Sequence, residues 1–200
     1  MPLPITVAIL AGGQSSRMGR DKAFIEIAGQ PLIERILGRV GSLGGETILI
    51  ANQPEDYRHL GLPLYPDVLP GKSNLGGLYT ALTNARHEHV LALACDMPFL
   101  NRDLLAYLLS LRDGYDVVAP LNRTGYPQSM HAVYGKGCLQ PIRRRLEADQ
   151  LKVIGFYDDV RVREVGDDEI DRFDPERLSF FNVNTPGDLA EARRLADRLG

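Results

Sequence analysis

Residues 5–13 read Ile-Thr-Val-Ala-Ile-Leu-Ala-Gly-Gly, an apolar run that ends in two adjacent glycines. Its centre, from Val7 to Leu10, shows no alternation of polar and apolar residues, which is typical of a strand covered on both faces. The glycines that follow allow the backbone to come close to a ligand and to direct N–H groups at it. This stretch therefore predicts a buried strand that leads into a glycine-rich loop.

Strands and helices are predicted to alternate along the rest of the chain. Further apolar runs cover residues 47–50, 90–94 and 116–119, and amphipathic helices are predicted after Pro31, Asn101 and Thr185. This order predicts an α/β fold, Rossmann-like and three-layered, with a mostly parallel sheet between helices. Because 200 residues are few for two full-sized domains, we expect a single domain over residues 1–200.

The composition argues against several classes of partner. The chain has 23 basic and 26 acidic residues, a net charge of −3, so nothing predicts binding to nucleic acid or to a membrane. Its two cysteines, Cys95 and Cys138, lie far apart and suggest neither a disulfide scaffold nor a zinc site. The first apolar run is short and lacks a basic leader. We therefore expect a cytoplasmic protein.

The loop after the first strand has the features of a phosphate-binding loop. Gly12 and Gly13 offer backbone N–H groups, and Arg17 and Lys22 follow in the same segment. A guanidinium can contact two phosphate oxygens at once, and an ammonium acts as a point charge. We interpret the combination of strand, glycines, arginine and lysine as a site for a polyphosphate.

Two aspartates are predicted near that loop, because ligands of open α/β sheets bind beyond the carboxyl ends of the strands. Asp96 stands two residues after Ala94, the last residue of a predicted strand, and its carboxylate suits Mg²⁺. It could instead cap the next helix, but Asn101 is available for that role. Asp67 lies in a loop and could accept hydrogen bonds from the ring N–H and the amino group of guanine, although a ribose-binding or structural role is the alternative.

The run Leu-Ala-Gly-Gly-x-Ser-Ser-Arg-Met-Gly-x-Asp-Lys, residues 10–22, resembles the signature of the molybdenum cofactor guanylyltransferases. The resemblance extends to residues 29–32, 66–67, 74–78, 95–99 and 182–186, nearly the whole chain. It implies a nucleotidyltransferase fold and a Mg²⁺-dependent enzyme. Such an enzyme transfers GMP from GTP to the terminal phosphate of molybdopterin and releases pyrophosphate.

The resemblance also assigns roles to residues of this sequence. GTP is expected at Leu10, Ala11, Gly12, Gly13, Lys22, Asp67 and Asp96, Mg²⁺ at Asp96, and the acceptor at Asn182 and Asn184, with Arg17, Lys22 and Asp96 as the catalytic residues. The asparagines lie two apart and share one face if the segment is extended. Their alternative role is to tie the end of the sheet to the Thr185 cap.

Several points stay open at this stage. Asn52 stands near a position where the family has a further nucleotide-contacting asparagine, but its register is ambiguous, and we expect His131 to be packed rather than catalytic. The alternatives to the guanylyl reaction are a transferase that uses CTP or a sugar phosphate, and a non-catalytic nucleotide-binding protein. The resemblance further implies contacts with cofactor-assembly proteins and recipient molybdoenzymes.

Overall fold

The computed structural model describes residues 3–11 and 22–199. The strands of these residues are β1 (Leu3–Leu10), β2 (Glu26–Ile27), β3 (Gln30–Pro31), β4 (Gly44–Ile50), β5 (Leu64–Tyr65), β6 (His89–Ala94), β7 (Val117–Pro120), β8 (His131–Gly135) and β9 (Val162–Val165). The α-helices are α1 (Leu32–Val40), α2 (Ser73–Asn84), α3 (Arg102–Ser110), α4 (Leu139–Glu147), α5 (Asp167–Ile170) and α6 (Pro186–Leu199).

Seven of the described strands form one sheet, in the order β5-β4-β1-β6-β8-β7-β9, and helices flank it. The strands β5, β4, β1 and β6 run parallel to one another, as do β7 and β9. The exception is β8, which is antiparallel to both β6 and β7. The predicted α/β fold with a mostly parallel sheet is therefore confirmed.

The first strand is the centre of the core. Every residue from Ile5 to Leu10 is buried, because β1 lies between β4 and β6 and is covered on both faces. Three of the predicted strand positions lie inside the observed strands, while the fourth strand begins at Val117 rather than at Asp116. Asp116 lies just before β7 and binds the guanidinium of Arg161 through its carboxylate, at 3.1 Å.

Helix α2 has a sequence that did not predict a helix. Glycines in a helix interior cost about 1 kcal/mol relative to alanine, and α2 contains both Gly76 and Gly77. At Gly77 the reason is a close approach: a Cβ atom there would lie 2.9 Å from Cδ2 of Leu10. The glycine thus allows α2 to pack directly against the carboxyl end of β1.

A second, smaller apolar cluster joins three distant segments. Its buried residues come from β2 and α1, from the loop after β6, and from α6 with the residues before it: Ile27, Leu32, Phe99, Val183, Ala192 and Ala196. The rings of Phe99 and Phe181 meet edge to face, with centroids 5.9 Å apart. This cluster fixes the segment that follows Lys22 against the segment that carries Asn182 and Asn184.

Among the described residues, none of the helices is both long and apolar enough to cross a bilayer.

Candidate active site at the carboxyl edge of the sheet

Three adjacent parallel strands end at the same level, and their loops form the candidate site. Leu10 at the end of β1 is in register with Ile50 of β4 and Ala94 of β6. The sheet continues one step further, because the Ala11 N–H donates to Ile50 O at 2.9 Å and the Cys95 N–H donates to Leu10 O at 3.2 Å. The predicted convergence of the three loops is therefore observed. The Ala11 N–H and the Leu10 carbonyl are both used in hydrogen bonds that extend the sheet.

Part of the predicted phosphate loop, with Gly12, Gly13 and Arg17, lies outside the described residues. Lys22 is described, and it opens a short 3₁₀ turn that runs to Phe24. Its ammonium donates to Oδ1 of Asn184 at 2.8 Å, across 162 positions of sequence. The structure thus brings together two predicted site residues that the resemblance assigned to different substrates.

Asp96 lies two residues beyond β6 with a half-buried side chain. Its Oδ1 atom is buried and has no hydrogen-bond partner among the described residues. Burial raises the pKa of this carboxyl, against the opposing effect of the Lys22 ammonium and a smaller one from its own backbone N–H. The Asp96 carboxylate therefore has one buried oxygen and lies close enough to Lys22 to feel its charge.

Asp96 does not serve as the cap of helix α3. Helix α3 begins at Arg102, and Oδ1 of Asn101 accepts hydrogen bonds from the N–H groups of Asp103 at 2.9 Å and Leu104 at 3.0 Å. This is the standard arrangement of an asparagine N-cap, and it confirms the prediction that Asn101 caps this helix. The Asp96 carboxylate is left for another purpose.

The residues around Asp96 fit a hard cation that takes most of its ligands from water and substrate. Within residues 3–11 and 22–199, no three His, Cys, Asp or Glu side chains gather as a metal cage. Mg²⁺ is commonly held by one or two carboxylates together with substrate phosphates. A buried carboxylate oxygen without a hydrogen-bond partner among the described residues suits that kind of ligation, whereas a structural zinc site needs four protein ligands.

Asp67 is paired with Asn52, which the sequence left undecided. The Asn52 side-chain amide donates to Oδ2 of Asp67 at 2.9 Å, and the backbone N–H of Asp67 donates to Oδ1 of Asn52, also at 2.9 Å. This two-point contact fixes the orientation of the carboxylate. The signal for Asn52 was its position two residues beyond the end of β4, at the same edge of the sheet as Asp96.

Asn182 and Asn184 flank the buried Val183, whose N–H donates to the backbone carbonyl of Asp96 at 2.9 Å. The two side chains have different partners. The amide of Asn182 donates to Phe180 O at 3.0 Å, while Oδ1 of Asn184 accepts from Lys22. The asparagine segment is therefore attached directly to the loop that carries Asp96.

The helix cap beside this segment is a reciprocal one. Oγ1 of Thr185 accepts from the Asp188 N–H at 3.1 Å, and Oδ2 of Asp188 accepts from the N–H groups of Thr185 at 2.8 Å and Asn184 at 2.9 Å. These bonds lower the pKa of the Asp188 carboxyl. The predicted Thr185 cap is thus confirmed, and it engages the backbone of Asn184 but not its side chain.

His131 is fully buried at the first position of β8, as expected for a packed residue. Its ring meets Phe180 edge to face, with centroids 5.1 Å apart. Neither ring nitrogen has a hydrogen-bond partner within the described part of the chain. Burial lowers the pKa of His131 to about 3, so the imidazole is neutral in the folded protein.

Acid should therefore weaken the fold through His131. Because the pKa is about 3 in the folded state and 6.5 for an ordinary histidine, the unfolded state takes up the proton first as the pH falls. Lowering the pH from about 6.5 to about 5 should cost wild type about 2 kcal/mol more than a His131→Leu variant. Urea unfolding of both proteins at several pH values measures this difference. Parallel pH profiles of the two proteins would contradict it.

Comparison with known proteins agrees with this geometry. A family model described as "MobA-like NTP transferase domain" matches residues 7–160. A protein of Desulfosudis oleivorans named "Molybdenum cofactor guanylyltransferase" is 34% identical over 199 residues, covering 98% of this chain and 98% of its own length. A protein of Pelotomaculum thermopropionicum named "Probable molybdenum cofactor guanylyltransferase" is 39% identical over 195 residues, covering 98% of this chain and 95% of its own.

Solved structures show the same relationship. Molybdopterin-guanine dinucleotide biosynthesis protein A from Archaeoglobus fulgidus superposes with a TM-score of 0.84 at 25% identity, covering 96% of this chain and 99% of its own. The 2-C-methyl-D-erythritol 4-phosphate cytidylyltransferase from Thermus thermophilus shares the fold, with a TM-score of 0.69 at 18% identity over 98% of this chain and 100% of its own. The family match and the full-length relatives together decide the family: the chain belongs to the MobA-like NTP transferases and, among these nucleotidyltransferases, to the molybdenum cofactor guanylyltransferases.

Proposed function

We propose that this chain transfers GMP from GTP to the terminal phosphate of molybdopterin. A phosphate oxygen of the acceptor attacks the α-phosphorus of GTP, the bond between the α-phosphorus and the bridging oxygen breaks, and pyrophosphate leaves. The names of the full-length relatives support this reaction. The observation that carries it is the meeting of Lys22, Asp96 and Asn184 beside the end of β1.

The phosphate side of the reaction would rest on backbone amides and two cations. In this proposal Gly12 and Gly13 offer N–H groups to the triphosphate, and Arg17 and Lys22 balance its charge. Lys22 is well suited, because its hydrogen-bond partner is a neutral amide oxygen rather than a carboxylate. Preorganised charge of this kind stabilises the negative charge that develops during phosphoryl-type transfer.

Asp96 would hold the Mg²⁺ ion of this site. When bound, Mg²⁺ supplies positive charge next to the triphosphate and favours departure of pyrophosphate. Asp96 contributes an oxygen that is buried and free of hydrogen bonds within the described residues. Its loop is braced from two sides, by the Val183 N–H on the Asp96 carbonyl and by Arg35, whose Nε donates to Pro98 O at 3.2 Å.

The Asp67 and Asn52 pair would recognise the guanine base. The Asp67 carboxylate can accept from the ring N–H and from the amino group of guanine, two donors that adenine does not present together. Asn52 uses Oδ2 of Asp67, but a carboxylate oxygen has two lone pairs and can accept a second bond. A Cβ atom on Gly77 would lie 3.6 Å from Oδ1 of Asp67, so this glycine leaves space beside the carboxylate.

The acceptor needs orientation rather than activation. A phosphate monoester at neutral pH is already ionised, so the reaction does not require a strong general base. Asn182 and Asn184 would orient the acceptor, and correct positioning of two bound reactants alone contributes a large part of the rate. In this proposal GTP and molybdopterin are the substrates, the cytoplasm is the compartment, and cofactor-assembly proteins and recipient molybdoenzymes are the contacts.

Pyrophosphate release tests the proposed reaction. The purified protein is mixed with molybdopterin, Mg²⁺ and each nucleoside triphosphate in turn, with reactions that lack acceptor or metal as controls. We expect release with GTP and acceptor together, and formation of the guanine dinucleotide. Release with CTP in preference to GTP would favour a cytidylyl reaction instead. GTP binding without any release would point to a non-catalytic protein.

Changing Asp67 should affect recognition of the guanine base rather than the transfer step itself. Asp67→Asn replaces one acceptor by a donor opposite the guanine, and we expect the KM for GTP to rise about tenfold to a hundredfold with a smaller change in kcat. The preference for GTP over ATP should narrow in proportion. Asp158→Asn, which removes an equal charge from an exposed position of the 3₁₀ helix Val153–Asp159, is the matched control. An unchanged KM with unchanged base preference would assign Asp67 to the ribose or to structure alone.

A further inference from the structure

Asn184 contacts the nucleotide side of the site through Lys22, although the resemblance places it on the acceptor side. Its Oδ1 accepts the Lys22 ammonium at 2.8 Å. Asn182, the other member of the pair, donates instead to the carbonyl of Phe180. The two asparagines share a short segment and a residue type but differ in their hydrogen bonds. A difference in role is therefore testable.

The contact is supported from both sides by rigid structure. The backbone N–H of Asn184 is fixed by the Asp188 carboxylate of the helix cap. The preceding residue, Val183, lies buried in the small apolar cluster together with Ile27, which follows Lys22 by five positions. Because both chain segments are anchored in that cluster, the amide oxygen stays within reach of the ammonium.

The contact suits a lysine whose positive charge must stay available to a ligand, because its partner is neutral. Two carboxylates lie close enough to feel the charge of Lys22: it opposes the effect of burial on the pKa of Asp96 and adds to the hydrogen bonds that lower the pKa of Asp188. Even so, among the ion pairs of residues 3–11 and 22–199 none involves Lys22, and its hydrogen bond goes to the neutral amide. An ammonium has three donors, so one can stay on Asn184 while two remain for phosphate oxygens.

We propose that Asn184 is a positioning residue that holds Lys22 beside Asp96 for the triphosphate, so that it serves GTP binding as well as the acceptor. This inference rests on the proposed function. Holding a long, flexible side chain before the ligand arrives removes an entropic cost from binding. The Asn184 amide NH₂ group has no hydrogen bond to the described residues and stays available to the acceptor, which links the two substrates through one side chain.

The test is GTP binding in the absence of acceptor. Affinity for Mg²⁺–GTP is titrated for wild type, Asn184→Leu, Asn182→Leu, Lys22→Met and the double variant Lys22→Met with Asn184→Leu. Leucine matches asparagine in shape and removes the acceptor oxygen. Because Asn184 is exposed and only its backbone joins the helix cap, the substitution should leave the melting temperature unchanged.

We expect Asn184→Leu to weaken GTP binding about fivefold to tenfold, which corresponds to the usual net contribution of one hydrogen bond. Asn182→Leu should leave GTP affinity within about twofold while raising the KM for the acceptor. In the Lys22→Met background, Asn184→Leu should have no further effect, since the partner is already gone.

Other outcomes overturn the inference, and they are distinguishable. If wild type binds GTP and Asn184→Leu binds it equally well, Asn184 does not act through Lys22 and the proposed function stands. If Asn184→Leu weakens GTP binding equally in the wild-type and Lys22→Met backgrounds, the inference is also overturned, because the effect does not depend on the lysine. If wild type binds no GTP, the proposed function fails and the inference fails with it.

Discussion

Replacing Asp96 with asparagine is expected to lower kcat about a hundredfold to a thousandfold, the range seen when one preorganised electrostatic contact is removed. Asparagine has almost the same shape but lacks the negative charge that attracts Mg²⁺. The loss should therefore appear as an increased requirement for Mg²⁺ as well as a lower maximal rate. Steady-state kinetics over a range of Mg²⁺ concentrations measure both, with Asp158→Asn as the control for loss of an exposed charge.

The same substitution should stabilise the metal-free protein at neutral pH. Burial raises the Asp96 pKa above its ordinary value of 3.8, so the folded state carries a penalty once the carboxyl is ionised. Well below pH 3.8 the group is protonated in both the folded and the unfolded state and the penalty vanishes. The penalty grows as the pH rises from 3.8 to the folded pKa and stays constant above it. Thermal melts of wild type and Asp96→Asn should therefore coincide in acid and separate at neutral pH, with the variant higher.

Near-normal kcat in Asp96→Asn with Mg²⁺ would contradict the catalytic assignment. A variant that melts lower than wild type at neutral pH would contradict the assignment of Asp96 as a carboxylate whose burial destabilises the folded state at that pH. The two results are independent, because the first concerns the loaded enzyme and the second the metal-free fold.

Replacing Lys22 with methionine is expected to reduce kcat/KM for GTP about a hundredfold, because the triphosphate loses a positioned positive charge. Lys22→Arg should recover part of this loss, since it keeps the charge but presents a planar fork instead of a point charge. Kinetics of the three proteins at equal ionic strength give the comparison. Equal kcat/KM values for wild type and Lys22→Met would remove Lys22 from the site.

Lys22→Met should also change the acid–base behaviour of Asp96. The ammonium opposes the effect of burial on the Asp96 carboxyl, so its removal should raise that pKa further. Mg²⁺ binding needs the ionised carboxylate and should then require a higher pH in the variant than in wild type. Titration of Mg²⁺ binding against pH in both proteins measures the shift, and coincident profiles would place Lys22 too far from Asp96 to act on it.

The sequence predicted the frame of this molecule well, for a physical reason. Buried parallel strands such as β1 are continuous apolar runs, and caps such as Asn101 and Thr185 depend on local spacing, so both can be recognised without tertiary information. Helix α2 escaped recognition because Gly77 disfavours a helix locally, and its advantage, close contact with Leu10, exists only in the folded chain.

The sequence predicts which loops form the candidate site, but not which side chains pair with one another there. The convergence of the loops after β1, β4 and β6 follows from parallel topology alone. The pairing of Asn52 with Asp67, and of Lys22 with Asn184, depends on side-chain reach across 15 and 162 positions of sequence. No local sequence pattern encodes contacts over such separations. For this reason the sequence does not define the role of Asn52, and the resemblance places Asn184 on the acceptor side alone.

The central claim is that one Mg²⁺–GTP lies along this edge of the sheet, with its base at Asp67 and its phosphates between Lys22 and Asp96. A crystal structure with Mg²⁺ and the GTP analogue that carries a methylene bridge between the α- and β-phosphates tests it most directly, because that bond resists cleavage. We predict guanine against the Asp67 carboxylate, Mg²⁺ on Asp96, and the Lys22 ammonium on a phosphate oxygen. A nucleotide bound elsewhere, or bound here with Asp96 remote from the metal and the phosphates, would contradict the account.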